Sequence, residues 1–201
     1  TIAVKSMKSN KFSLPIYKLL HYVLSAIRLI PIYLTMYIGG WRLFNQDIER
    51  WSEWKSCPFN SRFWKFVFLM TEFKEFRNIC YYRMGKLQYF LRWMCPALDS
   101  LYIRTKGIGG GLLIQHGFAS IIQAEHIGEN FKVFQQVTIG YNGDERPWIG
   151  DNVEICCGAK VIGGVRVGNN VVVGAQALVI KDVPDNAVVG GVPAKILKIK
   201  G

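Results

Sequence analysis

A step of six residues runs through the second half of this 201-residue chain. From Ile149 it meets Ile149, Ile155, Val161, Val167, Val173 and Val179, all β-branched aliphatics. Four places beyond each stand Val153, Ala159, Val165, Val171, Ala177 and Val183, small or medium and apolar throughout. Upstream, Ile121, Ile127, Val133 and Ile139 keep the same step and are expected to point inward. The step fails once, between Ile139 and Ile149, so Tyr141 to Arg146 should bulge out as a loop. A period of six suits neither a helix nor a plain strand. It suits a parallel β-helix, in which short strands form flat sides, turns form corners, and each coil buries its aliphatics on the next.

The first half has no such repeat. Apolar residues at Ile16, Leu19, Leu20, Val23, Leu24, Ile27 and Ile30 follow helical spacing, which predicts an amphipathic helix over 14–30 that Pro31 ends or kinks. Residues 45–54 read as a turn into a short helix, 61–69 as an apolar aromatic stretch, and 72–94 as one or two helices closed by Pro96. The chain is therefore expected to be α+β: a helical region over 7–98, then a β-helix with a tail over 99–201. Residues 1–6 precede Met7 and read as a remnant ahead of the natural start.

Charge is divided unevenly. Residues 1–100 hold 15 Lys and Arg against 6 Asp and Glu, net +9, whereas residues 101–201 hold 10 against 8, net +2. Trp41, Trp51, Trp54, Trp64 and Trp93 all fall in the basic half. Two readings stand: contact with an anionic membrane surface, or a helical cap whose aromatics pack together. The longest uncharged run, residues 29–41, is shorter than the ~20 residues a spanning helix needs. No nucleic-acid motif is present, and nucleic acid is not an expected partner. Five cysteines without a CxxC pair or a nearby histidine spacing argue against a disulfide framework and a zinc site, so no metal is expected and a cytoplasmic setting is. Of the three histidines, His21 lies within the predicted helix and His126 next to an inward position, so His126 should project outward. His116 follows a glycine-rich turn and an apolar strand.

Several segments resemble the hexapeptide-repeat acyltransferases, and within them the serine acetyltransferase branch: YYRMG at 81–85, GIGGGLLIQHG at 107–117, QQVTIG at 135–140, GAKVIGGVRVG at 158–168 and KDVPDNAVVGGVPAKILK at 181–198. The resemblance implies a left-handed β-helix that assembles as a homotrimer or a dimer of trimers, with acetyl-CoA as co-substrate. It implies His116 as the general base. It places the cofactor groove at Gly140, Cys157, Gly158, Gly174 and Ala175, with Lys181, Lys195 and Lys198 as candidates for the phosphates.

On the acceptor side the sequence departs from that branch. Gln115 stands where an aspartate precedes the catalytic histidine, and Glu145 and Arg146 stand where an Arg-His pair precedes the proline. Leu101 or Tyr102 falls where a carboxylate orients the histidine. Gln115, Glu145 and Arg146 are thus candidate acceptor contacts in an altered pocket. The leading expectation is O-acetylation of a saccharide, free or lipid-linked, at the cytoplasmic face of the plasma membrane in surface polysaccharide synthesis. The alternatives are serine O-acetyltransfer in cysteine synthesis and a non-catalytic β-helix scaffold.

Overall fold

A computed structural model describes residues 15–39 and 41–201. The expectations for residues 1–14, including the start of the first helix, lie outside that range. Four helices come first: α1 (Ile16–Gly39), α2 (Trp41–Trp54), α3 (Arg62–Glu72) and α4 (Lys74–Met84). Short 3₁₀ turns and the four-residue α5 (Gln88–Leu91) lead to the strands.

Pro31 neither ends nor breaks α1. One stripe of that helix, Tyr22, Ala26, Leu29, Ile32 and Met36, is buried in the core shared with α3 and α4. Burial of five such side chains, at roughly 1.5–3 kcal/mol for each large one, outweighs the ~3 kcal/mol a proline costs inside a helix. The result overturns a second expectation: Ile16–Tyr37 has the length and apolar composition to cross a membrane. Residues 45–48 form no turn, because α2 begins four residues earlier, at Trp41. The 72–94 segment divides at Phe73, whose extended backbone separates α3 from α4. The aromatic residues mostly pack together. Trp51 is buried, and Trp41, Trp54 and Trp64 pack against the core, leaving Trp93 exposed.

The second half winds as a parallel β-helix with three faces. One face stacks five strands: β1 (Leu101–Ile103), β3 (Ser120–Ile122), β6 (Thr138–Gly140), β9 (Lys160–Ile162) and β12 (Leu178–Val179). A second stacks β4 (His126–Ile127), β7 (Trp148–Ile149) and β10 (Arg166–Val167). The third carries β2 (Leu113–Ile114), β5 (Lys132–Val133), β8 (Glu154–Ile155), β11 (Val172–Val173) and β13 (Ala187–Gly190), with β14 (Lys195–Ile199) antiparallel at its end. All twelve apolar positions of the repeat from Ile149 to Val183 are buried. Upstream the step is off by one residue at β3. Ile122, not Ile121, pairs with Ile139 and fills the core, while Ile121 faces out and is 41 % exposed.

Asparagines hold one corner. Asn130, Asn152, Asn170 and Asn186 adopt left-handed backbone conformations on successive coils, where asparagine is among the best-tolerated residues. Their side chains form a ladder of amide hydrogen bonds at 3.2, 3.2 and 2.9 Å.

The helices cap the open end of this spiral. Asp47 on α2 is fully buried and pairs with Arg83 on α4 at 2.9 Å. Arg83 also donates to the carbonyls of Ile108 and Gly109, both at 2.6 Å, and Asp47 accepts from the Leu112 N–H at 2.8 Å. Trp51 Nε1 donates to the Leu112 carbonyl at 2.8 Å, and Arg50 donates to those of Gly111 and Phe131. The glycine-rich run at 107–111 serves this contact: a Cβ at Gly110 would overlap the Gln46 side chain. Replacing Arg83 by Leu would leave Asp47 as a lone buried charge. It should cost about 3–5 kcal/mol in urea-induced unfolding, and the double replacement of Asp47 and Arg83 by Leu should cost less than the two single ones summed. Strictly additive losses would show that the pair does not act as a unit.

Candidate active site

His116 stands on an insertion. Backbone hydrogen bonds align Gln115 with Phe134 and Cys156 on the coils that follow: Gln115 N–H donates to Val133, Phe134 to Ile155, and Cys156 to Val173. The other arm of the corner aligns Phe118 with Gln135 and Cys157, through Gln136 donating to Phe118, Gly158 to Gln135 and Gln176 to Cys157. Phe134 and Gln135 are adjacent, whereas Gln115 and Phe118 have His116 and Gly117 between them. These two extra residues bulge from the corner and are closed by a hydrogen bond from the Phe118 N–H to the His116 carbonyl. His116 takes a left-handed backbone, φ 61°, and its side chain is exposed. The bulge puts an imidazole outside a prism whose regular corners hug the core. Its one trace in the periodicity is the spacing of eight residues, in place of six, from Ile114 to Ile122.

The corner also gathers other residues named from the sequence. Gln115, Cys156 and Gly174 form one column; Cys157 and Ala175 form the next, followed by Gly158 and Gln176. Coils stack at about 4.8 Å, so the column descends from His116 in ~5 Å steps. Gly158 has a structural reason to be glycine, since its φ is 71° and a Cβ would overlap the Gln176 amide.

The remaining candidates lie across the five-stranded face. Gly140 ends β6 beside Ile162. Tyr141 to Arg146 form a tight antiparallel turn bridged between Asn142 and Glu145. The Glu145 side chain lies over Gly164, in a cleft of about 410 Å³ that Lys181 also lines. Lys181 and Lys195 share a smaller cleft of about 180 Å³. Within one chain, then, the His116 corner and the group of Gly140, Glu145, Arg146 and Lys181 occupy opposite edges of one sheet.

The cap and first coil supply the surroundings of His116. Leu101 is buried, with a methyl 3.0 Å from where a Cβ on Gly117 would stand, and Glu75 at the start of α4 brings its Cγ to 3.4 Å from that point. A carboxylate from the cap thus flanks the bulge; no sequence signal points to it, because Glu75 lies 41 residues upstream in a different kind of structure. His126 faces outward as expected and stacks on its cross-strand partner Trp148, at 5.1 Å between ring centroids; the Arg166 guanidinium lies 4.4 Å from the same indole. Burial pushes the Cys156 thiol up, aided by Glu154. Among the described residues no cluster of three or more His, Cys, Asp or Glu could hold a metal ion.

Comparison with known proteins agrees with this geometry. Residues 146–181 match the family described as bacterial transferase hexapeptide (six repeats). The serine acetyltransferase of Staphylococcus aureus strain Mu50 is 42% identical over 99 residues, 47% of this chain and 46% of the relative. The chain thus spans about half the length of the curated relatives it matches. A serine O-acetyltransferase from Brucella melitensis superposes with a TM-score of 0.63 at 25% identity, over 92% of this chain and 75% of that one. Neisseria gonorrhoeae serine acetyltransferase in complex with serine superposes at 0.61 and 26%, over 92% and 78%. The fold is the left-handed β-helix of these neighbours. Residues 146–181 carry the hexapeptide repeat of the bacterial transferases, and serine acetyltransferases are the chain's homologues and structural neighbours.

Proposed function

We propose that this protein is an acetyl-CoA-dependent O-acetyltransferase of the serine acetyltransferase type, with His116 as general base. The observation that carries the reading is the two-residue bulge that sets a solvent-facing imidazole at a corner whose columns pass Phe134 and Gln135 and then run through the small residues Cys156, Cys157, Gly174 and Ala175. Transfer from a thioester to an alcohol needs a base for the hydroxyl proton and a groove that holds the acyl arm in line. His116 is the base; Cys157, Gly158, Gly174 and Ala175 border the groove, and Lys181 and Lys195 meet the anionic end of the cofactor. Because Gly140, Glu145 and Arg146 lie at the far edge of the sheet, a second copy has to bring that edge to the His116 corner. A closed three-fold assembly does so three times over. Sedimentation velocity should therefore find a trimer or a dimer of trimers, and a fully active monomer would contradict this arrangement.

The relatives' names favour serine as acceptor. A second reading, a saccharide hydroxyl, is favoured by the lack of a carboxylate at Leu101 or Tyr102, where the branch has one, and by Glu145 and Arg146 in place of its Arg-His pair. Turnover of acetyl-CoA with serine, measured beside turnover with mono- and disaccharides, separates the two. His116→Asn suits the left-handed backbone and should leave the unfolding midpoint in place while lowering turnover by about two to four orders of magnitude. Near-normal turnover would remove His116 from the mechanism.

The exposed stripe of α1 supports a place at a membrane surface. Ile16, Leu20, Leu24, Ile27, Leu34 and Tyr37 are each between 55 % and 86 % exposed, and Lys18 and Arg28 lie on the same helix. Because α3 and α4 already cover the opposite stripe, the helix lies in the interface rather than crossing it. The full chain should co-sediment with vesicles containing anionic lipid, less so as salt rises, and Leu24→Glu with Ile27→Glu should abolish this. Failure to bind at low salt would leave the stripe as a protein contact.

A further inference from the structure

Two clefts open side by side on the outer face of the five-stranded sheet, and they share Tyr102 and Arg104. The first, about 400 Å³, lies where α4 and α5 meet the first coil; Tyr82, Gln88, Arg92 and Lys106 line it. The second, about 520 Å³, runs down the sheet over Ile121, Gln123 and Thr138 to Tyr141. No carboxylate lines either cleft. Arg92 is paired with the exposed Asp99 at 3.1 Å, while Arg104 and Lys106 take part in no ion pair among the described residues. Arg104 lies 5.8 Å from the centroid of the half-exposed Tyr102 ring.

Cations gathered without a counter-charge repel one another and favour an anionic ligand between them. Arg104 and Lys106 follow the end of β1, at the bend that turns the first coil, and both line the first cleft; Arg92 approaches it from the cap. Approach from two directions suits the three outer oxygens of a phosphoryl group better than the flat pair of a carboxylate. Beside the cations, an aromatic ring with amide and hydroxyl groups is the lining that a hydroxylated sugar ring uses. We propose that this double cleft binds a glycosyl phosphate, with the phosphoryl group on Arg104 and Lys106, the sugar ring against Tyr102, and its hydroxyls on Gln88, Gln123 and Thr138. The assignment rests on the saccharide reading of the acceptor.

Its test needs no turnover. Titration calorimetry on the full chain, without acetyl-CoA, would compare glucose 1-phosphate with glucose, inorganic phosphate and serine. Glucose 1-phosphate should bind, tighter than inorganic phosphate, with no measurable binding of glucose. Arg104→Gln with Lys106→Gln, both exposed and so tolerated by the fold, should weaken it at least about tenfold, the scale of a lost charge-assisted hydrogen bond. Tyr102→Ala should weaken glucose 1-phosphate but not inorganic phosphate. Undiminished affinity in the double variant, glucose binding as well as its phosphate, or displacement of glucose 1-phosphate by serine would each overturn the assignment. If the sugar phosphate binds through these residues while no acetyl transfer is found with any acceptor, the enzymatic reading fails and the cleft stands. If serine is acetylated and glucose 1-phosphate is ignored, the cleft assignment fails together with the saccharide reading, and the acetyltransferase reading stands.

Discussion

The buried pair of Asp47 and Arg83 ties two unlike kinds of structure together. A parallel β-helix ends in a coil whose backbone N–H and C=O groups have no next coil to pair with, and an open edge of that sort recruits other chains. Here the pair, with Arg50 and Trp51, takes up the carbonyls of Ile108, Gly109, Gly111 and Leu112 and the N–H of Leu112. Burial pushes the Asp47 carboxyl up, against the pull of Arg83 and the backbone N–H groups. Such a pair adds little net stability over an apolar contact of the same shape, but it fixes the register of α2 and α4 on the first coil. That register in turn sets Glu75 beside Gly117 and α4 beside β1, forming both the wall of the His116 bulge and the wall of the cationic cleft.

Periodicity made the β-helix legible. From Ile149 onward every inward position follows from counting, because each coil must stack its aliphatics on the coil before. Counting failed at β3, because Ile122 and Ile127 are five residues apart where the other coils step by six, so Ile122 and not Ile121 fills the core. The bulge of His116 and Gly117 is a separate irregularity on the other side of β3, where an insertion in the repeat displaces a side chain from the scaffold. In the helical half, local signals ranked below packing. Pro31 reads as a breaker, yet the stripe from Tyr22 to Met36 holds α1 continuous through it. The tryptophans read as membrane anchors or as filling; Trp51, packed on Phe73 and Phe76, shows the filling, and the exposed apolar surface of this half lies on the aliphatics of α1.

The scaffold and its chemistry answer to different constraints. Every inward position of a coil is restricted to small or branched apolar groups by its neighbours above and below. Outward positions on the same strands, such as Tyr102, Thr138 and Lys160, carry no such restriction. Two chains can therefore share the spiral closely, as the TM-score of 0.63 at 25% identity shows, while differing in everything an acceptor touches. Similarity along the coils speaks for the fold and for a groove shaped by coil spacing. It speaks weakly about the acceptor, whose contacts come from the corner bulge, the cap and the loop at 141–146. In this chain those elements bring an uncharged Gln115, a buried Leu101, a glutamate over Gly164 and a cationic cleft under the cap, so the acceptor has to be read from them.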